Sequence, residues 1–219
     1  MRLTNITGKL ARYLGHLLNK ALCSIRLYKI CSQGRKTRIQ LNTGAHLFTF
    51  NSSHMTSSST SFSCHLELLL SSSDYGFFIF IEEMDLSGST LGGCSEDYLQ
   101  FGRDILFVTT HLSVRYCGRV ERPRLKTNLA VKTEQISQRT YTEQSDTEMD
   151  IWLNIKLLPD RAGPYKSMSL LVTPVKRVCE AGDDLHLRCG LEGGCVRRDM
   201  QCDGLVNCPH DGEVWPGNH

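Results

Sequence analysis

Residues 75–84 read YGFFIFIEEM, an almost unbroken run of aromatic and β-branched side chains preceded by the turn-forming Ser71-Ser72-Ser73-Asp74. That composition favours an extended strand, and the run is far short of the roughly 20 apolar residues that a membrane-spanning helix requires. Working outward, segments of the same kind recur at short spacing. Cys64–Leu70, Asp97–Phe101, Ile105–Thr109, Met149–Leu157 and Met168–Val172 read as strands. Upstream, Thr37–Leu41 and His46–Phe50 are short alternating runs split by Asn42-Thr43-Gly44. Many short strands punctuated by Gly, Ser, Asp and Pro predict an all-β antiparallel sandwich rather than alternating βαβ units.

Three stretches fall outside this pattern. Residues 51–63 (NSSHMTSSSTSFS) are polar and of low complexity, and they predict a flexible loop inside the domain, because strand-like sequence flanks them. Residues 118–148 are charged and lack apolar periodicity, which predicts a mobile insertion. In residues 1–30, Leu3, Ile6, Leu10, Tyr13, Leu14, Leu17, Leu18, Leu22 and Ile25 follow helical spacing with bases on the opposite face. That basic amphipathic segment fits a membrane-surface helix, an organellar presequence, or a stretch foreign to the mature protein. It lacks the uninterrupted apolar core of a secretory signal, about 7–15 residues, so the natural start is expected elsewhere.

Charge is unevenly placed along the 219 residues. The first 66 hold nine Lys and Arg and no Asp or Glu, which leaves 16 bases against 23 acids in the remainder, about −7. An acidic main body argues against a nucleic-acid-binding core. The chain has ten cysteines, and Cys179, Cys189, Cys195, Cys202 and Cys208 crowd together at its end. A segment so short buries little apolar surface and needs disulfides or a metal. Disulfides persist only in oxidising compartments, which points to an extracellular or cell-surface protein. Of two glycosylation sequons, Asn5-Ile6-Thr7 and Asn51-Ser52-Ser53, Asn51 is the candidate site.

Four features occur in order: Cys64 among alternating apolar residues, Cys94-Ser95-Glu96-Asp97-Tyr98, Tyr116-Cys117-Gly118, and Met149-Asp150-Ile151-Trp152-Leu153-Asn154-Ile155. Together they resemble a CUB domain, over roughly residues 31–177. The resemblance implies a disulfide between Cys94 and Cys117, and another from Cys64 to an upstream cysteine, Cys31 or failing that Cys23. The tail, residues 179–219, resembles an incomplete LDL-receptor class A repeat. Leu187-Arg188-Cys189, Cys195-Val196, Cys202-Asp203-Gly204 and Asn207-Cys208 carry that likeness. It implies Cys179–Cys195 and Cys189–Cys208, and it leaves Cys202 without a partner.

Calcium is the cofactor that both resemblances imply. Such a cation needs several oxygen ligands at about 2.3–2.6 Å. In the CUB-like part the matching carboxylates are Asp97 and Asp160. Ser87 stands where a Glu is expected after Asp85-Leu86, with Glu83 or Asp85 as substitutes. In the tail the matching groups are Asp203, Asp211 and Glu213, and Asn207 replaces a carboxylate. Zinc is not expected, since the cysteine spacings lack tight Cys-x2-Cys knuckles.

Enzyme signatures are missing from the sequence: there is no phosphate-binding Gly-rich loop ending in Gly-Lys-Ser/Thr, no Gly-x-Ser-x-Gly and no His-Glu-x-x-His. Trp152 lies in an alternating strand and is expected to pack in the core. The function expected is therefore non-enzymatic: modules of a secreted or membrane-anchored adaptor or co-receptor that bind an extracellular protein. Any membrane attachment would come through parent sequence beyond this stretch. The non-catalytic part of a secreted protease and a non-functional fragment are the rival readings. Peptide mapping of the oxidised protein is expected to return Cys31–Cys64, Cys94–Cys117, Cys179–Cys195 and Cys189–Cys208. Bridges between the two cysteine groups would overturn the two-module reading.

Overall fold

In β10 (Glu148–Lys156), Met149, Ile151, Leu153 and Ile155 enter the main core, while Asp150, Trp152 and Asn154 take the opposite side. The period of two in a strand demands that split. β4 (Ser61–Leu70) alternates in the same way and sends Phe62, Cys64, Leu66 and Leu68 inward. These strands come from a computed structural model that describes residues 24–31, 35–55, 59–88, 93–105, 108–110, 112–121, 140–143, 147–157, 165–189, 194–200 and 207.

One sheet runs β2 (Lys36–Leu41), β4, β10, β6 (Tyr98–Ile105), β7 (Val108–Thr110). The other is centred on β11 (Ser167–Lys176), flanked by β3 (His46–Asn51) and β5 (Tyr75–Asp85). β1 (Ser24–Arg26) extends it beyond β3, and β8 (Arg119–Val120) and β9 (Thr140–Glu143) extend it beyond β5. The pairs β1–β3 and β2–β4 are parallel and the others antiparallel, so the sandwich is not antiparallel throughout. The first four strands alternate between sheets, which is how neighbours in one sheet come to run the same way. Phe48, Phe50, Phe77, Ile79, Ile81, Met168, Leu170 and Val172 of one layer face Leu66, Leu68, Leu99, Phe101, Ile151 and Leu153 of the other.

Three expectations change. The domain begins before residue 31. β1 pairs with Leu47–Thr49, and Leu27 of the single turn α1 (Leu27–Ile30) is fully buried. The serine-rich stretch is not a loop throughout: Ser61-Phe62-Ser63 opens β4 with Phe62 inside. Within 118–148, β8 and β9 both add to β5, while residues 122–139 lie outside the described set.

The tail is also less separate than its sequence implied. β12 (His186–Arg188) and β13 (Cys195–Arg197) form a hairpin, and Cys195 pairs with Lys176 of β11, so the tail continues the second sheet. Gly194 makes this approach possible. Its φ is +70°, and a Cβ there would lie 2.5 Å from the Lys176 carbonyl. Cys189, Val196 and Met200 bury themselves against Phe78, Phe80, Leu171 and Val175 on the outward side of the second sheet. Asn207 seals the contact: its amide oxygen accepts from Thr173 Oγ1 at 3.1 Å and its Nδ2 donates to the Met200 carbonyl at 3.1 Å. An aspartate carboxylate could not make the second bond, which accounts for Asn at this position. Asp183 adds a polar clasp, bonded to Lys176 Nζ at 3.2 Å and His186 Nδ1 at 2.8 Å, with Tyr75 and His186 3.3 Å apart.

Residues 179–219 alone therefore lack half of the core they pack into, and their NMR spectrum is expected to show no dispersed peaks. In the whole chain, Phe80→Ala should cost about 3–5 kcal/mol by denaturant unfolding. Dispersed peaks from the isolated tail would show that it has a core of its own.

Candidate functional site

The outward face of the first sheet carries a charge cluster that an ordinary solvated strand face would not bury. Register places Lys36 beside His65 and Arg38 beside Glu67 across β2 and β4, then Glu67 beside Asp150 and His65 beside Trp152 across β4 and β10. Lys36 Nζ lies 2.9 Å from Glu67 Oε1 and 2.9 Å from Asp150 Oδ1, and His65 Nε2 lies 2.8 Å from Asp150 Oδ1. Arg38 Nε donates to the other Glu67 oxygen. The acids sit beneath the bases: side-chain exposure is 11% for Glu67 and 3% for Asp150, but 31% for Lys36 and 71% for Arg38.

The electrostatics follow from that layering. The hydrogen bond from Arg38 holds the Glu67 carboxyl below its ordinary range, and Lys36 adds to this against the opposing effect of burial. Burial works against the Lys36 ammonium, yet its bonds to Asp150 and Glu67 outweigh it and raise its pKa.

Beside the charges lies an aromatic and aliphatic strip. Trp152 stacks on His65 with ring centroids 4.9 Å apart. Gly102 leaves room for it: a Cβ there would meet Leu112 Cδ2 at 2.9 Å and Trp152 Cζ3 at 3.3 Å. The segment carrying Leu112 is fixed to β6 by the Ser113 N–H, which donates to the Phe101 carbonyl at 2.9 Å, and by Ser113 Oγ, which accepts from Phe101 N–H at 3.0 Å. Leu112 and Val114 are exposed, and the Arg115 guanidinium lies 4.2 Å from the centre of the Tyr98 ring. Trp152 is thus on the outer face and not in the core, because Ile151 and Leu153 take the inward positions. His65-Leu66-Glu67 and Asp150-Ile151-Trp152, with polar or aromatic residues alternating with aliphatic ones, carried the trace of this site in sequence.

Of the residues singled out for calcium, Asp97 alone lies among the described residues. Asp97 is buried at the start of β6, while Asp160, Asp203, Asp211 and Glu213 lie outside the described residues. Asp97 Oδ1 accepts from Lys156 N–H at 2.8 Å, and Oδ2 accepts from Ser87 N–H at 2.9 Å and faces Lys166 Nζ at 2.6 Å. Burial alone would raise this carboxyl, but Lys166 and the two N–H donors together hold it below its usual range. Both oxygens are taken by the chain's own donors, so Asp97 does not fit a calcium ligand. Among the described residues no group of three or more His, Cys, Asp or Glu is placed to hold a metal.

Of the cysteines, Cys31 joins Cys64, Cys94 joins Cys117 and Cys179 joins Cys195. Cys189 is also disulfide-bonded, and its expected partner Cys208 lies outside the described residues. Asn51 ends β3, where its side chain accepts from Ser53 N–H at 2.8 Å.

No protein-family model matches the chain, and no curated protein matches it significantly. Among solved structures the chain is similar to the CUB1-EGF-CUB2 domains of rat MASP-1, at 13% identity over 74% of this chain, with a TM-score of 0.41. It spans 52% of that protein, about half its length. The two-sheet architecture stands on the strand pairing itself.

Glu67 generates a pH prediction. A carboxyl whose folded pKa is depressed contributes stability above its unfolded value, near 4.5, and that stability is lost as pH falls through the folded value. Glu67→Gln should cost about 1–3 kcal/mol at pH 7 in urea unfolding, because a neutral amide replaces the buried carboxylate that Lys36 and Arg38 bond. The deficit should shrink as the pH falls below that range. A cost independent of pH would mean that the carboxylate charge plays no part.

Proposed function

We propose that this chain is a non-catalytic, CUB-like extracellular module that binds another protein through the outward face of its first sheet. The observation that carries the reading is Trp152, held outside the core in one orientation by His65 and Gly102. On the same face are the exposed Leu112, which meets Trp152 over Gly102, and the outward cation of Arg38, whose partner Glu67 lies underneath. Protein interfaces concentrate binding energy in aromatic and Arg anchors surrounded by weaker contacts, and a pre-oriented aromatic loses little entropy on binding. The disulfides support an oxidising, extracellular setting. The order of Cys94, Asp97, Tyr98, Tyr116 and Cys117 supports the CUB-like assignment.

Titration of the fluorescently labelled, oxidised chain onto intact cells tests this. Saturable binding is expected, weakened at least about tenfold by Trp152→Ala or Arg38→Glu. Glu121→Gln, at an exposed position outside the cluster, should leave it unchanged. Equal binding by all forms would remove this face from the proposal, and the absence of saturable binding would remove the function itself.

A further inference from the structure

The misfit of Asp97 with calcium has a structural cause in one lysine. Lys166 Nζ, with its side chain 12% exposed, reaches the fully buried Asp97 carboxylate at 2.6 Å and donates to the Lys156 carbonyl at 2.5 Å. Its backbone is fixed in turn: Lys166 N–H donates to Ser52 Oγ at 2.9 Å, and its carbonyl accepts from Ser52 N–H at 2.9 Å. Asp97 also holds Ser87 N–H and Lys156 N–H. The residues after β5, the approach to β6, the end of β10, the approach to β11 and the turn after β3 therefore converge on one largely buried ion pair.

We propose that Lys166 is a tethered internal cation that takes the place of a divalent ion at Asp97, so that this end of the sandwich is organised without metal. The chemistry matches: a carboxylate and a backbone carbonyl are hard oxygen ligands of the kind a calcium ion collects, and an ammonium satisfies both through its N–H donors. A covalently attached cation is not lost to chelation or dilution, whereas extracellular calcium sites are weak, at about 10⁻⁴–10⁻³ M. An added ion would also have to sit beside an existing positive charge in a buried place, which opposes its entry. The charge of Asp97 is thus used inside the fold and is not displayed to a basic ligand.

Thermal unfolding of the full chain in millimolar calcium and in excess EDTA tests the idea. The wild type is expected to unfold at the same temperature in both buffers. Lys166→Met is expected to unfold several degrees lower in EDTA and to recover part of the loss in calcium, because a carboxylate and a carbonyl are left without a cation. Lys166→Arg, which keeps the charge, should lie between the two. A calcium-dependent midpoint in the wild type overturns the proposal, as does a Lys166→Met midpoint equal to the wild type. A destabilised Lys166→Met that ignores calcium overturns it as well, by reducing the contact to a simple ion pair. If Lys166→Met does not fold, calorimetric titration of the wild type with calcium chloride decides: no heat of binding supports the tethered cation, and saturable heat refutes it.

Discussion

β5 cannot be left half-solvated. Phe77, Ile79 and Ile81 fill the space between the sheets, and Phe78 and Phe80 point the other way and are equally buried. Two large aromatic side chains on the outward face of a central strand would be a strong aggregation liability in water, so this strand needs a second covering layer. The layer is the cysteine-rich tail, joined through β13 to the C-terminal end of β11, the strand that pairs with β5 along its length. Disulfides hold the tail in shape, and the aromatics of β5 give it something to pack on. The end of the chain is thus bound to its middle by burial, and the strand between them is protected by it.

The same economy appears in the polar groups. Of the buried carboxylates, Glu67, Asp97 and Asp150 are reached by bases from more exposed positions. An unpaired buried carboxylate would be costly, while a paired one fixes the strands that supply its partners. Around Asp97 the partners come from distant turns and lock one end of the sandwich. Around Glu67 and Asp150 they come from adjacent strands and set the face of one sheet. The first arrangement is largely closed to solvent, and the second leaves Arg38 exposed on the surface while bonded to Glu67.

Much of the sandwich was legible in the sequence because alternation is local: Cys64–Leu70, Met149–Leu157 and the flanks of YGFFIFIEEM each announce a strand. The placement of Trp152 was missed by one register step, since an alternating strand does not say which of its faces is the wetter. The serine-rich approach to Cys64 looked like a loop, yet Phe62 continues the inward row at the required spacing. Ile25 fits the helical spacing of residues 1–30 because such spacing and a short strand place apolar residues alike over so few positions, yet it lies in β1. Nothing local announced that Lys166 would face Asp97, for they are brought together only by the final packing of β6, β10 and β11. The unbroken apolar run of β5 did contain the need for cover on both faces, since a strand with one wet side alternates and this one does not.

These constraints together narrow where a partner can dock. The outward face of the second sheet is occupied around Phe78, Phe80, Leu171 and Val175 by the chain's own tail. At Asp97 the carboxylate is already satisfied by Lys166, so it has no charge to offer a ligand. Among the described residues, the face that the proposed binding role uses is the outward side of the first sheet, where Trp152 lies between Leu112 and a charge cluster whose exposed member is a guanidinium. Such a face differs from an ordinary polar sheet surface in the feature that matters for recognition: its groups are held in place before any partner arrives. Pre-organisation of that kind is costly to maintain on a surface that contacts only water, since it buries two carboxylates and orders two long basic side chains. The proposed binding role would give that cost a compensating return, and the position of the cluster next to Trp152 would set both halves of the surface against the same partner.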